Sequence, residues 1–270
     1  MKVSVLIPTY NRITALAATL TALSAQTFHD FHVIVADQGE TPAASHPTIQ
    51  TICRILELHG RPVQLLQNLP RRGMAQQRQF LLQHAEGDYS LFLDDDVILE
   101  PDALEKMTTA IAQEACGFAG MALIGLGYRH DVRPAEQSIE LWDGPVAPET
   151  VKPGSPAWER HKLHNAANIL HTAEKLHCTN GRLQKYKVAW IGGCVLYDTH
   201  KLREVGGFDF WQQLPPAHCG EDVLAQLRLM EKYGGFGLIP SGAYHQELPT
   251  TIHDREVNAP VFLNVKCNSL

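Results

Sequence analysis

Tyr89-Ser-Leu-Phe-Leu-Asp-Asp-Asp-Val-Ile-Leu-Glu100 joins a short apolar run to three consecutive carboxylates, Asp94, Asp95 and Asp96. The apolar half has the make-up of a buried strand. Side-by-side like charges at its end require either solvent or a cation. If the alternation of a strand continues, Asp94 and Asp96 face one way and Asp95 the other. At least two carboxylates then gather at the carboxyl end of a strand, where α/β sheets present ligands. Mg²⁺ or Mn²⁺, held by one or two carboxylates and the phosphate oxygens of a substrate, suits that arrangement. A solvated turn that caps the following helix is the competing reading.

The flanking sequence supplies the sheet. Val3-Ser-Val-Leu-Ile7 is a β-branched run stopped by Pro8, and Ile13, Leu16, Ala17, Leu20 and Leu23 then recur at helical spacing over residues 13–26. Phe31-His-Val-Ile-Val-Ala36 reads as a second strand ending at Asp37. Residues 48–58 read as a helix, 63–66 as a strand and 74–85 as a helix before Gly87, while Pro101 opens a helix after the acidic triplet. This alternation predicts an α/β fold with a mostly parallel, Rossmann-like central sheet and helices on both faces.

Beyond residue 124 the regularity stops. Residues 128–187 are rich in Pro, His, Asn and charge, and read as an irregular insertion with a helix around 158–176. Val188-Ala-Trp-Ile-Gly-Gly-Cys-Val-Leu-Tyr197 reads as a strand interrupted by Gly192 and Gly193, a pattern of bulges or of close ligand approach. A helix with an acidic first turn begins at Glu221-Asp222. The chain thus divides into residues 1–127, the insertion 128–187, and residues 188–270, within a single domain overall.

At 270 residues the chain can bury a substantial core, and 44% hydrophobic with 19% charged residues is an ordinary globular composition. A net charge of −6 argues against nucleic acid as a partner, which demands a basic surface. No apolar run reaches the ~20 residues of a membrane span and no signal-peptide pattern opens the chain, which predicts a cytoplasmic location with peripheral membrane contact left open. The cysteines include no Cys-x-x-Cys pair and read as reduced packing residues.

Glu221 and Asp222 suit a helix N-terminus for electrostatic reasons alone, and either could instead act as a general base. His161, His164, His171 and His177 lie in a polar segment without the acidic ligand of a zinc helix, and read as solvated surface residues. His245 follows an apolar run and could swing toward the carboxylates, with His253 as competitor. Neither a Gly-x-Gly-x-x-Gly nor a Walker loop occurs, nor a Gly-x-Ser-x-Gly elbow.

Taken together, Val3-Ser-Val-Leu-Ile-Pro-Thr-Tyr-Asn-Arg12, Val33-Ile-Val-Ala-Asp37, Leu91-Phe-Leu-Asp-Asp-Asp96, Gly192-Gly193, Val205-Gly-Gly-Phe-Asp209 and Gly220-Glu-Asp222 resemble family 2 of the inverting glycosyltransferases, which have the GT-A fold. The resemblance spans nearly the whole chain except residues 128–187. It implies transfer of a sugar from a nucleoside-diphosphate donor, usually a UDP-sugar, to the hydroxyl of a carbohydrate or glycolipid acceptor.

By that resemblance Pro8, Thr9 and Tyr10 border the nucleoside, Asp37 meets uracil, and Arg78 lies near the base or phosphates. Arg12, Asp94 and Asp95 belong to the same donor side. Asp96 and His245 bind Mn²⁺ or Mg²⁺, and Asp222 is the catalytic base. Glu221, Gly192 and Gly193 contact the acceptor. Two departures are visible. Gln38-Gly39-Glu40 replaces the family's usual Asp-Gly-Ser, and Gln77-Arg78-Gln79 replaces its Ala-Arg-Asn. The competing functions are a sugar nucleotidylyltransferase, which would need a glycine-rich basic loop after the first strand, and a catalytically silent sugar-binding module.

Overall fold

The computed structural model describes residues 1–178, 183–252 and 254–267. Its first half alternates as the periodicity predicts. β1 (Val3–Thr9), α1 (Ile13–Ser24), β2 (Phe31–Asp37), α2 (Pro47–Leu58), β3 (Val63–Gln67), α3 (Met74–His84), β4 (Tyr89–Leu93), β5 (Val97–Leu99) and α4 (Ala103–Glu114) follow in order. β6 (Phe118–Gly120), α5 (Asn168–Lys175), β7 (Gln184–Tyr186), β8 (Cys194–Asp198), α6 (Thr199–Glu204), α7 (Glu221–Tyr233), β9 (Gly235–Ile239), β10 (Ala243–His245) and α8 (Ala259–Cys267) complete it.

One eight-stranded sheet, in the order β3-β2-β1-β4-β8-β6-β9-β7, forms the centre, and β10 pairs with β5 beside it. β3, β2, β1 and β4 run parallel, as do β6 and β9, and β8 is inserted antiparallel between β4 and β6. The register Leu6↔Ile34 and Leu6↔Phe92 stacks like residues across the strands.

Strand alternation builds two cores. Leu6, Ile34, Ala36 and Phe92 face the side covered by α3 and α7, through Leu81, Leu82, Leu224 and Leu229. Val5, Ile7, Val33, Val35, Leu91 and Leu93 face the side covered by α1, α2 and α4, through Leu16, Leu20, Ile49, Leu104 and Met107. Each fully buried Leu, Ile or Val contributes about 1.5–3 kcal/mol of transfer free energy. Both faces are therefore lined with apolar side chains, and polar residues concentrate at the strand ends.

Three expectations are corrected. The strand read over 188–197 begins only at Cys194, because Gly193 adopts φ +77° and turns the chain before pairing starts. The helix read around 158–176 is a 3₁₀ stretch, Pro156–His164, followed by α5, with Ala166 at φ +53° separating them. Of the four histidines read as solvated, only His177 is exposed. His161 stacks on Trp190 with ring centroids 4.7 Å apart, and burial pushes His164 down to about 4 while its Nε2 bonds the Tyr186 hydroxyl at 3.0 Å. His171 is buried and bonded to the Arg129 carbonyl. The aromatic and carbonyl partners come from other segments, so local polarity in the sequence misrepresents these environments.

Cys53, Cys116, Cys178, Cys194 and Cys219 are free thiols, all but Cys219 buried. Among the described residues no helix is long and apolar enough to cross a membrane.

Candidate active site

The carboxyl ends of β1 and β4, the N-terminal turns of α3 and α7, and the segment after β10 surround one polar cleft of about 770 Å³. Pro8, Thr9, Tyr10, Arg12, Arg78, Asp94, Asp95, Asp96, Glu221, Asp222 and His245 line it. Of the residues singled out from the sequence, Asp37, Gly192 and Gly193 are set back from its wall.

β4 ends at Leu93, so the three aspartates occupy the turn into β5 and do not alternate as strand residues. They divide differently. Asp94 Oδ1 receives Arg78 Nη2 at 3.2 Å, whereas Asp95 and Asp96 share Arg12 Nη1 at 3.3 and 2.7 Å. Asp95 also ties the turn to the first βα unit: the Thr9 hydroxyl donates to its Oδ2 at 2.6 Å and the Thr19 hydroxyl to its carbonyl at 2.8 Å. Burial pushes the Asp95 carboxyl up to about 6, against the hydrogen bond from Thr9. For Asp96, burial is outweighed by the hydrogen bond and charge of His245 and by Arg12, and its carboxyl is held below the ordinary range. The two neighbours thus differ in their readiness to carry charge.

Arg78, on the buried face of α3, is the junction of the site. Its Nε donates to Glu221 Oε1 at 3.0 Å while Nη2 reaches Asp94, so it joins the acidic turn to the start of α7. Burial opposes the charge on this guanidinium, but Asp94, Glu221 and Asp222 more than compensate and raise its pKa. The Asp222 carboxyl is pushed up to about 7 by burial and by the charge of Glu221, partly opposed by Arg78. A carboxylate that takes up a proton near neutrality, in a cleft, has the property needed of a general base.

Gly192 and Gly193 form the backbone between these carboxylates. A Cβ at Gly192 would stand 3.8 Å from Asp222 Oδ2, and one at Gly193 would stand 3.3 Å from Asp94 Oδ2 and 2.4 Å from Leu123 Cδ1. Asp37 does something other than line the cleft. Its two oxygens accept the amides of Gly39 and Ala43 at 2.7 and 2.6 Å and shape the loop that brings Gln38 to the wall.

Other cleft residues were not singled out from the sequence. Arg71 stacks over Tyr10 with its guanidinium carbon 3.5 Å from the ring centroid. His218 donates from Nδ1 to the Pro215 carbonyl at 2.7 Å and accepts the Ala75 amide at Nε2, 3.0 Å, which joins the approach to α7 with the first turn of α3. Gly73, just before α3, is the local hint in the sequence, since at φ +96° it leaves room for the His218 ring.

Asp96 Oδ2 and His245 Nε2 approach to 3.4 Å, and His253 lies outside the described residues. A carboxylate oxygen with an imidazole nitrogen suits Mn²⁺ chemically. Among the described residues no cluster of three or more acidic, His or Cys side chains forms a complete cage. With two side-chain donors, an ion held there would take its remaining positions from water and substrate phosphate.

The architecture has counterparts of known structure. S. aureus TarS superimposes with a TM-score of 0.59 at 19% identity, over 91% of this chain and 36% of that one. A mannosyltransferase from Pyrobaculum calidifontis, solved with GDP-Man and Mn²⁺, gives 0.54 at 18% identity, over 93% and 59%. These likenesses establish the GT-A fold. The model of the family described as Glycosyl transferase family 2 matches residues 4–145, more than half of the chain, and the protein belongs to that family. The Escherichia coli UDP-Glc:alpha-D-GlcNAc-diphosphoundecaprenol beta-1,3-glucosyltransferase WfgD is 26% identical over 116 residues, 43% of each chain. The chain spans less than half the length of the curated relatives it matches.

Proposed function

We propose that this chain transfers a sugar, with inversion, from a nucleoside-diphosphate donor to an acceptor hydroxyl, with UDP as the donor nucleotide and a divalent cation bound. The observation that carries this reading is the convergence of Asp94, Glu221 and Asp222 around Arg78 in one cleft of a family 2 chain. UDP is favoured by the name of the E. coli relative, which gives UDP-Glc as donor, and by the TarS structure in complex with UDP-GlcNAc.

In this reading Pro8, Thr9 and Tyr10 border the nucleoside, with Gln38 and Arg71 beside them. Asp37 acts through the loop it shapes. Asp96 and His245 would hold Mn²⁺ or Mg²⁺, which when bound stabilises the departing diphosphate as a Lewis acid. Asp222 takes the proton of the acceptor hydroxyl as the oxygen attacks the anomeric carbon from the opposite face. Glu221 keeps Arg78 in place and contacts the acceptor, and Gly192–Gly193 stand behind Asp94 and Asp222 on the acceptor side. Residues 1–127 would then supply the donor half and 188–270 the acceptor and base half, with 128–187 shaping the acceptor's approach. The acceptor is a carbohydrate or glycolipid, consistent with peripheral membrane contact of a cytoplasmic enzyme.

Thermal-shift screening of nucleoside-diphosphate sugars with and without Mn²⁺ tests the donor assignment, because a ligand of the native state raises stability by mass action. UDP-sugars should raise the melting temperature with metal present. A response to GDP- or dTDP-sugars alone would reject UDP.

A further inference from the structure

Three carboxylates in sequence, with His245 beside them, are each paired with one of two arginines of this chain. Arg78 takes Asp94, and Arg12 takes Asp95 and Asp96. The position of Arg12 is set by the turn before α1: Asn11 stands at φ +53° with its side chain accepting the Glu40 amide, and Arg12 occupies the N-cap. Its Nη1 lies against Asp96 Oδ2, the same oxygen that faces His245 Nε2. Its Nη2 donates to the Pro249 carbonyl, in the segment after β10 whose Leu248, Thr250, Thr251 and Ile252 wall the cleft.

We infer that Arg12 is an internal counter-cation that competes with the divalent ion for Asp96, and that ion binding releases the cleft wall at residues 248–252. The inference rests on the metal-dependent reading above and deepens it. A guanidinium and a divalent cation cannot both sit on one carboxylate oxygen without strong repulsion. Arg12 therefore has to leave this oxygen when an ion arrives. Its side chain is 16% exposed, so it has an outlet to solvent, and Asp95 remains within reach as a partner. Because the same guanidinium holds Pro249, its departure removes the bond between the acidic turn and the wall. Arg12 is a positioning residue in this scheme: it keeps the acidic turn formed and the wall in place until the ion takes over the charge.

The test is Mn²⁺ binding to the full chain without nucleotide, followed by electron paramagnetic resonance, in the wild type, Arg12→Met and Arg12→Lys. Hydrogen exchange of the peptide covering residues 246–252 is measured in parallel. Loss of one charge-assisted competitor predicts Mn²⁺ affinity about tenfold higher or more in Arg12→Met. Arg12→Lys should stay near the wild type, because it keeps the charge. In the wild type, saturating Mn²⁺ should speed exchange in 246–252, and Arg12→Met should exchange at that rate before metal is added. Equal or weaker Mn²⁺ binding by a folded Arg12→Met protein overturns this inference while leaving the metal reading standing. Absence of Mn²⁺ binding in all three proteins, with and without UDP, overturns both.

Discussion

Arg78 Nε and Glu221 Oε1 meet at 3.0 Å across 143 residues of sequence, both side chains buried. This bond joins the helix after β3 to the helix that carries Asp222, and so sets the distance between the acidic turn and the proposed base. Arg78→Ala leaves a buried carboxylate without its partner, and the expected cost is about 3–5 kcal/mol. Urea denaturation with a two-state fit should show it as a lower midpoint. Arg78→Lys should recover part of the stability without restoring the two-sided contact.

In the proposed reaction Asp222, as the base, sets the pH dependence of transfer. With its carboxyl raised to about 7, kcat/KM should fall as pH drops through 7 and level off above it. The stability has the opposite sense. A carboxyl whose pKa is higher folded than unfolded loses stability as pH rises from about 4 to the folded value, and the loss is complete above 7. Asp222→Asn should therefore be more stable than the wild type at pH 8, by roughly 1 kcal/mol or more, with the gap closing toward pH 4. Melting temperatures of the two proteins across that range test the sign.

His218 should be a neutral Nδ1–H imidazole. Burial lowers its pKa, and its Nε2 must stay bare to accept the Ala75 amide. Long-range ¹H–¹⁵N spectra at pH 7 should show a protonated Nδ1 and an unprotonated Nε2. Gly73→Ala would place a Cβ 2.4 Å from this ring at positive φ, costing about 2–3 kcal/mol and reducing donor binding with it.

Gly193→Ala should be as disruptive as Gly192→Ala is mild. Gly193 is at φ +77°, and a Cβ added there would meet Leu123 at 2.4 Å, whereas one added at Gly192 would meet nothing closer than Asp222 Oδ2 at 3.8 Å. Thermal melts of the two single variants should separate them by about 2 kcal/mol or more.

The first half of the sheet is legible in the sequence because its strands are short apolar runs, β-branched in β1 and β2, and its helices repeat every three to four residues. β4 ends at Leu93 as the composition of Tyr89 to Leu93 requires. The site is legible as a set of residue types, since the aspartates, Arg78, Glu221 and Asp222 do gather in one cleft. Their pairing is not. Strand alternation stops at Leu93, where the chain enters a turn, and the Arg12 and Arg78 partnerships depend on contacts between distant segments. The same reason hides His218, whose partner Ala75 lies 143 residues away.

In the proposed reaction Asp222 removes the acceptor's proton while the acidic turn holds the donor. Single-turnover transfer from a bound UDP-sugar by Asp222→Asn, with UDP affinity measured on the same sample in Mn²⁺, tests it most directly. UDP affinity within about twofold of the wild type, together with a transfer rate reduced by a factor of ~10² or more, is the predicted result. Transfer at the wild-type rate by Asp222→Asn would remove Asp222 from the role of base.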